Sequence, residues 1–185
     1  MSFIASNFGT GRGLVRLVLS YAEVALGAAG ISRPDPAEVR RLVFVCHGNI
    51  CRSAFGDVAA RTAGMRVASF GLSTDAGKAA HPLAVIAAYA LGYDLSAHRT
   101  TRGSDFVPEQ GDYILAMETR QLRRLAADAR FAGLPRGLLG LYATPAVPHL
   151  HDPYELDPAY MPVCLTRIER AVANLAAAFP GARVS

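Results

Sequence analysis

From Arg41 onward, short β-rich apolar runs alternate with stretches of helical period. The runs Leu42–Cys46, Arg66–Phe70, Tyr113–Met117 and Leu138–Tyr142 predict strands. Between and after them, Ser53–Ala63, Leu83–Leu91, Thr119–Ala129 and Tyr160–Phe179 predict helices. Strands separated by crossover helices give an α/β fold, with about four parallel strands buried between helices on both faces. Ligands then belong beyond the carboxyl ends of the strands.

Ahead of this region, Arg16, Ser20, Glu23 and Gly27 recur at helical spacing and form one narrow polar stripe. Leu14, Val15, Leu17, Val18, Leu19, Tyr21, Val24 and Leu26 surround it, so a helix from about Gly13 to Ala29 has a wide apolar face that needs cover. Its own domain, a second copy of the chain or a membrane surface would each serve. The membrane is disfavoured, because the stripe carries one Arg and one Glu and no lysine-rich face. Ser32, Pro34 and Pro36 break the pattern, which makes 1–36 a helical extension with a linker and 41–185 the domain proper.

With 185 residues, 51% of them apolar, the chain can bury a substantial core. The net charge of +4 comes from dispersed arginines, which suits small anions and gives no support to nucleic acid as a partner. Three cysteines without disulfide-framework spacing point to a reducing, cytoplasmic setting. Arg16 and Glu23 argue against reading the apolar N-terminal stretch as a membrane span or a signal peptide.

The chemistry concentrates in Cys46-His47-Gly48-Asn49-Ile50-Cys51-Arg52-Ser53, placed where the first strand ends and a helix begins. Backbone N–H groups of such a loop can curl around a tetrahedral anion, and the helix points the positive end of its dipole at the same spot. Phosphate then needs no metal. The same field favours the thiolate of Cys46, a competent nucleophile, and Arg52 adds a planar fork that can grip two phosphate oxygens.

This stretch resembles the signature of the low-molecular-weight protein tyrosine phosphatases. The likeness continues through Ser69, Tyr93-Asp94-Leu95-Ser96-Ala97-His98-Arg99, Asp112–Met117 and Asp152-Pro153-Tyr154. The resemblance implies a flavodoxin-like three-layer fold and double displacement through a phosphocysteine, with no metal or cofactor. It implies a phosphotyrosine protein or a small aryl phosphate as substrate. It assigns Cys46 as nucleophile, Arg52 as clamp and Asp152 as general acid and base, with Asp157-Pro158 as the local rival. His47, Gly48, Asn49, Ile50 and Cys51 would line the phosphate site, Tyr154 would wall the phenyl ring, and Asn49, Ser53, Ser69 and His98 would brace the loop. Cys51 would be placed to trap oxidised Cys46, whereas Cys164, in an apolar helical pattern, reads as core.

The sequence departs from the family pattern in four places. His47 replaces a residue that is usually apolar or small. Ala54 and Gly56 stand for a proline and a better helix former, at a cost of about 1 kcal/mol. Ser73–His81 lacks the aromatic residue of a second wall, and the N-terminal extension is additional. Competing readings are an arsenate reductase, which needs a downstream thiol pair absent between Ala54 and Val163; a phosphoarginine phosphatase, whose relatives carry threonine where Ile50 stands; and a non-catalytic phosphate-binding module.

Overall fold

A computed structural model describes residues 3–184. Two helices come first, α1 (Phe3–Phe8) and α2 (Gly11–Ala25). Then follow β1 (Arg41–Cys46), α3 (Arg52–Thr62), β2 (Val67–Gly71), α4 (Pro82–Ala90), β3 (Asp112–Ala116), α5 (Thr119–Ala126), β4 (Arg136–Leu138) and α6 (Tyr160–Ala178). The sheet is parallel throughout, in the order β2-β1-β3-β4.

Side chains alternate across each strand, so the central strand feeds two cores. Leu42 and Phe44 pack with α3, α4 and α6, while Val43 and Val45 face Leu122 and Leu125 of α5 and the stacked rings of Phe70, Phe106 and Phe131. The sheet is therefore covered on both faces, as the flavodoxin-like arrangement requires.

The fourth strand differs from the expectation. It occupies Arg136–Leu138, and Leu139–Tyr142 forms a 3-10 turn. The Gly140 carbonyl accepts from Ala143 N–H at 3.2 Å and Val147 N–H at 2.7 Å, which turns the chain out of the ladder, and the Val147 backbone comes so close that only glycine fits. The edge of β4 is closed from the N-terminal side: Ser32 N–H donates to the Arg136 carbonyl at 2.8 Å, and Arg136 N–H donates back at 3.1 Å. That pairing blunts an otherwise open edge.

The extension packs on the rest of its own chain, but not by the face its apolar residues suggest. Gly13, Leu17 and Ser20 turn inward, while Val15, Val18 and Leu19 stay 57–60% exposed. Small residues let the helix approach closely, and polar anchors fix the orientation. Glu23 pairs with Arg123 of α5 at 2.7 Å, and Tyr21 Oη donates to the Ala146 carbonyl at 2.5 Å. Among the described residues no helix is long and apolar enough to cross a membrane.

Candidate active site

From β1 the chain crosses first to β2 on one side and later to β3 on the other, which opens a crevice at the carboxyl end of β1. Cys46 is the last residue of that strand and Arg52 the first of α3, so the loop between them fills the crevice. Close approach by the end of β2 depends on Gly71, where a Cβ would lie 3.0 Å from the His47 carbonyl oxygen and the Gly48 backbone.

Asn49 sets the shape of the loop. It takes a left-handed φ of 54°, which asparagine tolerates better than most residues. Its N–H donates to Cys46 Sγ at 3.2 Å. Its Nδ2 donates to Ser53 Oγ at 2.8 Å and Ser69 Oγ at 3.1 Å, while its Oδ1 accepts from Thr101 N–H at 2.9 Å. Because Ser53 Oγ is filled by that donor, its own hydrogen is free for Cys46 Sγ, 3.0 Å away. His98 Nε2–H donates to the Asn49 carbonyl at 2.8 Å; burial lowers the basicity of the ring, which leaves Nδ1 unprotonated near neutrality. The braces implied by the resemblance thus meet at one asparagine.

Arg52 is fully buried. Nη1 donates to Glu118 Oε1 at 2.6 Å and to the Leu150 carbonyl at 2.8 Å. Asp152 Oδ2 lies 2.5 Å from Nη2 as an ion contact, yet Nε and Nη2 have no hydrogen-bond acceptor. One edge of the fork is held by Glu118 and Leu150; on the other, Nε has no acceptor and Nη2 has only the Asp152 ion contact. Burial pulls this guanidinium down, but Asp152, Glu118 and Cys46 outweigh it and keep Arg52 firmly cationic. For Glu118, burial alone would raise the carboxyl; Arg52 and Arg120 prevail and hold it at about 2.

The pocket above Cys46 has a volume of about 200 Å³. Gly48, Ile50 and Cys51 join Cys46 in its floor, and the exposed His47 sits at its rim. Asp152 and the half-exposed Tyr154 line one side, and the His81 ring meets Tyr154 edge-on with 5.4 Å between centroids. Ser73, Thr74 and Lys78 make the other side, so the stretch that lacks an aromatic wall supplies a polar, cationic one. Asp157 does not line this pocket; its carboxylate accepts from Ala159 N–H at 3.0 Å beside the start of α6. Burial pushes the thiols of Cys51 and Cys164 upward, the latter to about 12, so both are neutral thiols. Among the described residues no three His, Cys, Asp or Glu side chains gather to hold a metal.

Sequence reasoning missed Glu118 and the Lys78 side of the pocket. Glu118 stands two residues beyond the carboxyl end of β3, where the topology directs attention, but a lone glutamate there has no distinctive spacing.

The parallel sheet brings a buried cysteine and a buried arginine to the two ends of one loop at its switch point, the placement expected of a ligand site in an open α/β sheet. The chain belongs to the low molecular weight phosphotyrosine protein phosphatase family, whose model matches residues 41–183. It is 34% identical over 91 residues to a probable low molecular weight protein-tyrosine-phosphatase EpsP of Ralstonia solanacearum, covering 48% of this chain and 63% of that relative. The chain thus spans less than two thirds of that relative's length. To the low molecular weight protein-tyrosine-phosphatase Ptp of Acinetobacter johnsonii it is 27% identical over 139 residues, 74% of this chain and 96% of the relative. The crystal structure of the Erwinia amylovora tyrosine phosphatase amsI superimposes with a TM-score of 0.67 at 27% identity, covering 80% of this chain and 98% of that one.

Proposed function

We propose that the chain hydrolyses aryl phosphate monoesters, protein phosphotyrosine foremost, through a phosphocysteine. The observation that carries this reading is the outer edge of the buried Arg52 fork, where Nε has no acceptor and Nη2 has only its ion contact with Asp152, in the loop whose cysteine lies at the pocket floor. A buried donor without an acceptor costs about 1–3 kcal/mol, a deficit at Nε that one phosphate oxygen would remove while a second takes the place of Asp152 at Nη2.

In the first displacement Cys46 Sγ attacks phosphorus, the S–P bond forms and the P–O bond to the aryl group breaks. Asp152 gives its proton to the departing oxygen, so the leaving group departs as a neutral phenol. In the second, the Asp152 carboxylate takes a proton from water, the water oxygen bonds to phosphorus, and Cys46 leaves as thiolate. Arg52 follows the equatorial oxygens as the phosphoryl group flattens in each transfer. Tyr154 offers its ring to the phenyl group of the substrate. Ile50 in the floor supports an ester substrate over phosphoarginine, whose phosphatases carry threonine there.

Loss of the acid matters most when the departing oxygen is basic. Asp152→Ala is expected to cut kcat/KM on phenyl phosphate by about a hundredfold or more and on an activated nitrophenyl ester much less. Equal losses on both, or a larger effect from Asp157→Ala, would remove Asp152 from the role.

A further inference from the structure

The N-terminal extension lies outside the family match, which begins at residue 41, yet it touches the segment that carries Asp152. Thr10 caps α2, its Oγ1 accepting from Gly13 N–H at 2.9 Å. The same oxygen lies 3.2 Å from His151 Nε2, and His151 Nδ1 lies 3.2 Å from His149 Nε2. Between the two histidines, the Leu150 carbonyl accepts from Arg52 Nη1, and Leu150 N–H donates to the Met117 carbonyl at 3.0 Å. The strip 149–152 is thus gripped by Met117 and Arg52 through its backbone and by the extension through the His151 imidazole.

We infer that α1 and α2 act as a clamp on the general-acid segment, with Thr10 positioning Asp152 through His151. This rests on the reading of Asp152 as general acid. The approach is built in: a Cβ at Gly9 or Gly13 would lie 2.8–2.9 Å from the His151 ring, so the extension reaches that ring only because both positions are glycine. Its ends are tied down independently, by Arg167 of α6 over the Phe8 ring at 5.7 Å and by the Glu23–Arg123 pair. Burial holds both imidazoles below histidine's ordinary value, His149 at about 4, so near neutrality each ring carries one N–H. The relay Thr10–His151–His149 therefore runs through neutral hydrogen bonds. Removing the Thr10 hydroxyl frees His151, and with it the adjoining Asp152, to swing away from the leaving oxygen.

The test uses the full chain and two esters, phenyl phosphate and a nitrophenyl phosphate, and reads the ratio of their kcat/KM values. That ratio is blind to the fraction of folded enzyme. Thr10→Val is expected to lower the phenyl value about tenfold and the nitrophenyl value by no more than about twofold, since small misplacement of a catalytic group costs one to two orders of magnitude. Thr10→Ser, which keeps the hydroxyl, should hold the wild-type ratio. His151→Leu should shift the ratio as Thr10→Val does, and the double variant should shift it no further, because the two act through one contact. An unchanged ratio in Thr10→Val, or shifts that add in the double variant, would overturn the clamp. If Asp152→Ala itself leaves the ratio unchanged, the general-acid reading fails instead, and the clamp fails with it.

Discussion

Arg52 shows how one side chain can be both fixed and available. Its Nη1 is spent on Glu118 and Leu150, so the guanidinium plane is set before any ligand arrives. Such preorganisation lets the other edge meet phosphate with only the Asp152 carboxylate having to give way at Nη2. Glu118→Gln removes the charge behind that anchor and is expected to lower kcat/KM about tenfold or more. It should also change acid stability. A carboxyl held at about 2 against an ordinary 4.5 stabilises the fold fully above 4.5, and that contribution is lost as pH falls from 4.5 toward 2. Denaturant titrations should show the wild type losing on the order of 3 kcal/mol more than Glu118→Gln across that interval. Equal losses would show that Glu118 is not held as an anion. Residue placement was legible where a motif fixes it, as for Cys46, Asn49 and Arg52, which share one loop between β1 and α3. Gly56 was misjudged as a mere weakness of its helix: a Cβ there would meet the buried Phe44 ring at 3.0 Å, and glycine is what lets α3 lie against β1. Sequence spacing carries the helical cost of a glycine but not the ring it faces.

Among the elements, the sheet strands and long helices were readable because their periodicity reflects burial that every neighbour shares. β3 and α6, for example, differ from their expected spans by a residue or so at the ends. Helix α2 was readable as a helix but not as to its docked face. Apolar residues outnumber the stripe on all sides, so the choice falls to partners far along the chain: His151 is 141 residues from Thr10, and Arg123 is 100 from Glu23. The orientation can be checked directly. Leu17→Ala should cost about 2–3 kcal/mol in urea unfolding, because the buried side chain leaves a cavity. Leu19→Ala, on the outward face, should stay within about 0.5 kcal/mol. The reverse ranking would mean that the helix docks by its other side.

At the scale of the molecule, alternation of strand and helix gave the parallel sheet, and the sheet order places its reversal at the strand that ends in Cys46. The site follows from the topology, and the family match covers that part of the chain. What no local pattern carried is the third component, an extension that reaches across to the Asp152 segment, because its contacts join the two ends of the chain. In the proposed reaction the phosphoryl group rests on Cys46 between the two displacements. Rapid mixing with a radiolabelled aryl phosphate, a denaturing quench and peptide mapping tests it most directly. The label should appear on the Cys46 peptide within the first turnover and be absent in Cys46→Ser, which should retain less than about one per cent of wild-type turnover while still binding vanadate. Wild-type turnover with no label on Cys46 at any quench time, together with substantial activity in Cys46→Ser, would contradict it.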